Sequence, residues 1–497
     1  MLTYRSTRGG IENVTAAEAI LKGIADDGGL FVPEYIPQMN FSLKEMKEMD
    51  YKTLAYQVMQ SFFPDFSKED LRACIDGAYD SKFDTPIIAP VCQAGDLKFL
   101  ELFHGPTLAF KDMALSILPY LMMSVAKNAN LEKEVVILTA TSGDTGKAAL
   151  EGFADVKGTK IIVFFPQEGV SDIQKYQMIT QEGDNTCVIG IEGNFDDAQT
   201  GVKNIFAEMD FGKELDDHGY VFSSANSINI GRLVPQVVYY FYAYAQLMKD
   251  GSLEEGDTMN VVVPTGNFGN ILAAYYAKKM GLPIGKLVCA SNNNKVLYDF
   301  FKDGHYSRNR DFHITMSPSM DILISSNLER LLYTVSNDNS DETQDLMGRL
   351  QAEGEYDISS EMKDNLSDFY GGYASDEKTQ EVIKKVYDQT GYLMDTHTAV
   401  AYAVYEKYQE ETADLNTVTI IVSTASPYKF PSSVMNALDS VKYKDINEFD
   451  LLAQMNTLLG GEIPQGIRDL ERRKIEHKTV CATEEMPKVI REFLNLA

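Results

Sequence analysis

Phe103-His104-Gly105-Pro106-Thr107-Leu108-Ala109-Phe110-Lys111-Asp112 is the stretch that decides how this chain is read. The apolar run before it, Leu97 to Phe103, is predicted as a strand, and the apolar-rich segment after it, Met113 to Ala126, as a helix. Gly105-Pro106 breaks the chain between them, and Thr107 is the expected N-cap of the helical segment. Lys111 then falls in or near a first helical turn, flanked by Phe110 and Met113. An amine with apolar neighbours beside the positive end of a helix loses part of its preference for being charged. A partly neutral amine can attack a carbonyl and form an imine. Taken alone, the residue reads more simply as a snorkelling lysine at a helix edge.

The 497 residues leave room for two or three domains. Residues 1–90 read as mostly helical, with Thr15-Ala16-Ala17-Glu18 as a capping box opening a helix that runs to Ala25. From about 91 to 435, β-branched runs (Val135 to Leu138, Lys160 to Phe165, Thr186 to Ile191, Val221-Phe222, Met259 to Val263, Leu287 to Cys289) alternate with helical stretches. That alternation predicts parallel α/β sheets with helices on both faces, which bind ligands at the carboxyl ends of their strands. Within this core, residues 336–380 read as an acidic, helix-biased surface excursion. Residues 436–497 read as a carboxyl-terminal extension packing on the core.

A net charge of −28 argues against nucleic acid and anionic membranes as partners. Any anion site must gather its positive groups against that bias. Cys74, Cys92, Cys187, Cys289 and Cys481 are odd in number, widely spaced and without zinc-ligand spacing, which suggests free thiols and no metal. The start of the chain lacks the apolar core of a signal peptide and no run approaches bilayer length, so a cytoplasmic location is expected.

Three further loops suit anions. Gly266-Asn267-Phe268-Gly269-Asn270 follows a strand and opens a helix, where glycines and free N–H groups can cup a phosphate; the alternative is a tight strand–helix connection. It lacks the G-x-G-x-x-G spacing of dinucleotide sites. Thr141-Ser142-Gly143-Asp144-Thr145-Gly146 misses the Walker spacing; it suits a carboxylate or phosphate, or is simply a well-capped helix start. In Ser224 to Arg232, Arg232 sits on the opening turn of a helix, as a bidentate phosphate ligand or as a surface ion pair.

The segments 98–111, Thr139 to Gly146 and Pro264 to Asn270 together resemble threonine synthase, a pyridoxal-phosphate family of the tryptophan-synthase-β type (fold type II). Ser6-Thr7-Arg8-Gly9 and Leu30 to Pro37 resemble that family's amino-terminal domain, and the likeness runs from residue 2 to about 435. It implies two α/β lobes with an added helical domain and a carbon–oxygen lyase acting on phosphates. The reaction implied is conversion of O-phospho-L-homoserine to L-threonine and phosphate, the last step of threonine biosynthesis, by a monomer or homodimer. The resemblance makes Lys111 the lysine that carries the cofactor and moves protons. It gives Gly266, Asn267, Phe268, Gly269 and Asn270 the cofactor phosphate, and the Thr424 hydroxyl the pyridine nitrogen. Thr141, Ser142, Asp144 and Thr145 would hold the amino-acid substrate, and Asn226, Ser227 and Arg232 its phosphate. Ser426 departs from the family, which usually carries a histidine there, and His397 reads as a packed structural histidine. The competing readings are another fold-type-II lyase, such as a serine or threonine dehydratase, and a non-catalytic binder of phosphorylated ligands. The binder would be expected to lose the lysine that is present here.

Overall fold

Strands β1 (Tyr4–Ser6) and β2 (Phe31–Pro33) pair antiparallel within an otherwise helical amino-terminal region. Its helices, Ala16–Lys22, Leu43–Lys47, Tyr51–Phe62 and Lys68–Ala78, each start at a side chain that accepts a backbone N–H: Thr15, Ser42, Asp50 and Ser67. The capping box of Thr15 and Glu18 forms as expected, but the helix ends at Lys22, capped by Gly23, rather than at Ala25. The computed structural model describes residues 1–496 apart from 131, 142, 168 and 169.

Beyond residue 90 the strands come in the order β3 (Val91–Ala94), β4 (Leu97–Glu101), β5 (Glu134–Ala140), β6 (Thr159–Pro166), β7 (Thr186–Ile191), β8 (Tyr220–Ser223), β9 (Met259–Pro264), β10 (Ile284–Ser291), β11 (His305–Ser307), β12 (Glu355–Asp357), β13 (Phe369–Tyr373), β14 (Val418–Ser423) and β15 (Thr479–Cys481). One sheet has the order β13-β10-β9-β14-β4-β3, parallel except for β3. The other, β15-β7-β6-β5-β8, is parallel throughout. Because side chains alternate along a strand, each sheet buries both faces. Val261, Val263, Ile420 and Val422 share a core with Val135, Ile137, Ile161 and Val163 of the other sheet. The alternate residues Val262, Val288 and Ile421 face a second core, and Val136, Leu138, Ile162 and Phe164 a third. One apolar core therefore lies between the two lobes and one outside each.

Three expectations are corrected. The segment after Lys111 forms two helices, Asp112–Leu115 and Leu118–Asn128, because Pro119 has no N–H to continue the first and instead opens the second. Thr107 caps neither, since the helix starts at Asp112; its N–H and hydroxyl donate to the Asp112 carboxylate at 2.8 and 2.6 Å. The acidic segment 336–380 is more than a surface excursion: it contributes β13, an edge strand, and opens the helix Asp376–Thr390, which buries Val382, Ile383 and Val386. The carboxyl-terminal extension packs on the core and also adds β15 alongside β7.

Two contacts set where the chain enters Lys111. The helix Asp144–Phe153 crosses so close to the Asp112–Leu115 turn that a Cβ on Gly152 would lie 2.2 Å from the Leu115 carbonyl oxygen. Gly152→Ala should therefore destabilise the fold by about 1–3 kcal/mol, seen as a lowered urea midpoint. In the loop after β4, His104 bridges Asp84 (Nδ1, 2.6 Å) and Glu101 (Nε2, 3.0 Å). Burial pushes the imidazolium down, but these two carboxylates prevail and raise it to about 9. Its native value thus exceeds its unfolded one of 6.5, so its contribution is complete below that pH and is lost as pH rises to about 9. Between those two pH values the wild type should lose on the order of 2 kcal/mol more stability than His104→Asn, measured by urea unfolding.

Candidate active site

β4, β14 and β9 are successive strands of the larger sheet and run in the same direction, so their carboxyl ends gather three loops in one place. The loop after β4 folds back onto the loop after β14. Phe110 N–H donates to the Thr424 carbonyl at 2.8 Å, Ser426 N–H donates to the Leu108 carbonyl at 3.0 Å, and Ala109 bridges Ala425. Leu108 is held in the left-handed region, with φ +62°. That costs a bulky residue on the order of 1–3 kcal/mol, and the surrounding pairing sustains it. Lys111 comes next, at the N-cap of Asp112–Leu115. On the other sheet the neighbours β5 and β8 end in the 141–146 and 224–232 loops, which face this cluster from the second lobe.

The Lys111 side chain is 11% exposed, with Nζ 3.6 Å from Asp144 Oδ2, 3.4 Å from Ser319 Oγ and 5.2 Å above the Phe110 ring. Burial pushes its pKa down; Asp144 pulls it back up, Lys429 and Arg232 push it down again, and the net value lies below that of an ordinary lysine. Asp144 serves two ammonium groups. Its Oδ1 takes Lys429 Nζ at 2.9 Å and Gln174 Nε2 at 2.8 Å, while its Oδ2 faces Lys111 and accepts the Ser319 hydroxyl at 3.3 Å. Burial raises the Asp144 carboxyl, but Lys429 and Lys111 outweigh it and keep the group ionised well below the usual carboxylate range. Lys429 is fully buried and also donates to the Thr107 carbonyl (2.9 Å) and Gln177 Oε1 (3.1 Å).

Ser319 ties the lysine to the glycine turn. A Cβ on Gly266 would lie 2.6 Å from the Ser319 carbonyl oxygen, so the close approach admits glycine alone. The turn opens the helix Gly269–Lys279, whose first N–H groups have no intrahelical acceptors. The Phe268 backbone is left-handed and its ring is spent in the core beside Phe301 and Phe369, so this residue offers the turn only its peptide group. The Asn270 amide closes the same turn, donating to the Pro264 carbonyl at 3.0 Å and accepting Ile271 N–H. Across the cluster, Arg232 is buried in the first turn of Ile230–Lys249 and donates Nη1 to the Ala225 carbonyl at 2.9 Å. Its Nε is buried with no acceptor among the described residues, and burial pushes the guanidinium down to about 10. An unmade hydrogen bond from such a group costs about 1–3 kcal/mol, which an anion accepting it would restore. An amine of lowered pKa, a glycine turn at a helix start and a second cation whose buried Nε has no acceptor among the described residues fit a phosphorylated aldehyde together with a separate anionic reactant.

The remaining candidates fall around these groups. Thr424 is buried at the end of β14. Thr141 Oγ1 accepts Gly143 N–H at 3.0 Å and Gly146 N–H at 2.9 Å, so its lone pairs shape the loop and only its O–H is left to donate. Thr145 is half-buried in the first helical turn, and Ser142 lies outside the described residues. Asn226 and Ser227 are half-buried, and Asn226 Oδ1 accepts the Thr139 hydroxyl at 3.4 Å. His397 is buried, with Nδ1 donating to Asp395 at 2.7 Å and Nε2 accepting Ser319 N–H at 3.1 Å; it anchors the Ser319 turn. The sequence pattern does not reveal Ser319, Lys429 or Gln174 as part of the site. Lys429 carried a signal, as a lone lysine in the apolar run Pro427 to Pro431 after a strong strand, whereas the 308–325 loop around Ser319 has no periodicity to read.

Comparison with known proteins accords with this geometry. Three family descriptions match in succession: threonine synthase N terminus over residues 3–79, pyridoxal-phosphate dependent enzyme over 95–424, and threonine synthase C-terminal over 398–490. The threonine synthase of Schizosaccharomyces pombe is 38% identical over 477 residues, covering 90% of this chain and 91% of that protein. Human threonine synthase-like 1 is 40% identical over 487 residues, covering 94% of this chain, which spans 64% of that relative's length. Among solved structures, yeast threonine synthase superposes with a TM-score of 0.88 at 34% identity, covering 100% of this chain and 99% of that one. A pyridoxal-phosphate-bound threonine synthase from Brucella melitensis superposes with a TM-score of 0.86 at 34% identity, covering 99% of each chain. With its lysine, glycine turn and three matched regions in place, the chain belongs to the threonine synthase family of pyridoxal-phosphate-dependent enzymes.

Proposed function

We propose that this protein converts O-phospho-L-homoserine and water to L-threonine and phosphate, with pyridoxal 5'-phosphate as cofactor, as the last step of threonine biosynthesis in the cytoplasm. The observation that carries the reading is a buried lysine of lowered pKa at the glycine turn, within electrostatic reach of a buried arginine with an unused donor. Bound pyridoxal phosphate supplies an electron sink for the charge left when a proton departs from the substrate Cα. Lys111 takes that proton and then handles protons at Cβ and Cγ, a role suited to an amine whose neutral form burial favours. The N–H groups of Gly266, Asn267, Phe268, Gly269 and Asn270 would hold the cofactor phosphate, and Thr424 would offer the cofactor ring a neutral hydroxyl, which does not enforce a protonated nitrogen as a carboxylate would.

Asn226, Ser227 and Arg232 receive the phosphate leaving Cγ, the guanidinium fork stabilising charge as it develops there. Thr141 and Thr145 hold the substrate carboxylate at a helix start. Asp144, already engaged by Lys429 and set beside Lys111, serves as counter-charge to the two amines and not as a substrate ligand. Purified protein given O-phospho-L-homoserine should release threonine and phosphate in equal amounts; neither product overturns the proposal, and 2-oxo acid with ammonia from serine or threonine points to a dehydratase. Arg232→Ala should lower kcat/KM for O-phospho-L-homoserine about 100- to 1000-fold while the protein still binds pyridoxal phosphate with its visible absorbance.

A further inference from the structure

The two anion cradles belong to different lobes, yet one side chain grips both. Asn327 is fully buried. Its Nδ2 donates to the Asn267 carbonyl at 2.9 Å and to the Ser227 carbonyl at 3.2 Å, and its backbone N–H donates to the Asn267 carbonyl at 3.1 Å. Arg330, also fully buried, steadies this amide by donating Nη1 to Asn327 Oδ1, and it donates Nη2 to the Ile228 carbonyl at 2.6 Å. Its Nε donates to the carbonyl of Phe31 in the amino-terminal region at 2.9 Å. The neighbouring Glu329 is clasped by Thr7 (2.6 Å) and by Arg8 through Nε (2.9 Å) and Nη2 (2.8 Å).

A peptide group is planar and trans, so holding a carbonyl aims the N–H of the next residue the opposite way. Asn327 therefore aims the Phe268 N–H through Asn267 and the Ile228 N–H through Ser227. An anion accepting either N–H polarises that peptide and strengthens its carbonyl as an acceptor, which tightens the shared amide and leaves the other cradle better ordered. We propose that Asn327 and Arg330 are positioning residues that couple the cofactor-phosphate cradle to the substrate-phosphate cradle, so that phosphate in one strengthens binding in the other. This rests on the proposed assignment of the two cradles. Linkage requires the effect to be reciprocal.

The test measures how fast pyridoxal phosphate leaves the loaded protein after dilution, with and without inorganic phosphate at a concentration that calorimetry shows to saturate the loaded form of each protein. Phosphate should slow release by roughly fivefold or more in the wild type. It should leave release nearly unchanged in Asn327→Ala, with circular dichroism matching the wild type. Should Asn327→Ala not fold, Arg330→Lys, which keeps the charge but loses the fork, should show the same loss. If loaded wild type binds no phosphate, the second cradle and the coupling fall together. If it binds phosphate and release is unaffected, only the coupling is overturned. Full slowing retained in the folded variant, as simple blocking of the exit by phosphate would give, overturns the assignment to Asn327 and Arg330.

Discussion

One buried carboxylate joins the two lobes at the point where the chemistry would occur. Asp144 begins the first helix after β5 in one lobe; the ammonium groups of Lys111 and Lys429 reach it from the ends of β4 and β14 in the other. Removing one partner from a buried ionic cluster leaves uncompensated charge and is costly, so the three side chains of this cluster depend on one another across the lobe junction. Its composition matters as much as its strength. Two lysines and Arg232 stand against the Asp144 and Asp112 carboxyls in a chain whose overall charge is −28, so positive groups gather here against the charge of the molecule as a whole.

The rest of the architecture supports that cluster. Parallel sheets put the loops after β4, β14 and β9 at one end of one sheet, and those after β5 and β8 at the facing end of the other. The core shared between the lobes covers the inner faces of both sheets, which brings the two sets of loops within reach of each other. The Ser319 turn, held by His397 and through it by Asp395, sits across the junction and touches Lys111, Asp144 and the Gly266 approach at once. The amino-terminal region, which reads in sequence as mostly helical, reaches the same junction through Phe31 and Arg330.

Much of this was legible in the sequence because it is written locally. A strand, a breaking Gly-Pro and an apolar-flanked lysine fit within fifteen residues, and so does a glycine turn between a strand and a helix. The boundary errors are local as well. Pro119 splits a helix that hydrophobic periodicity alone would continue, and Thr107 is a good capping residue placed too early to cap. β13 escapes a reading by pattern because Phe369-Tyr370-Gly371-Gly372-Tyr373 sits in an acidic neighbourhood and carries no aliphatic run.

The chain's residues by themselves determined an alternating α/β core, an apolar-flanked lysine after a strand and a glycine turn at a helix start, since each depends on neighbours a few positions away. The tertiary structure alone decided the sheet order, the pairing of Asp144 with two lysines, the Ser319 turn against Gly266, and the grip of Asn327 on both lobes. These rest on segments far apart in the chain. Strand order depends on which apolar faces bury best together, and no local pattern records that choice.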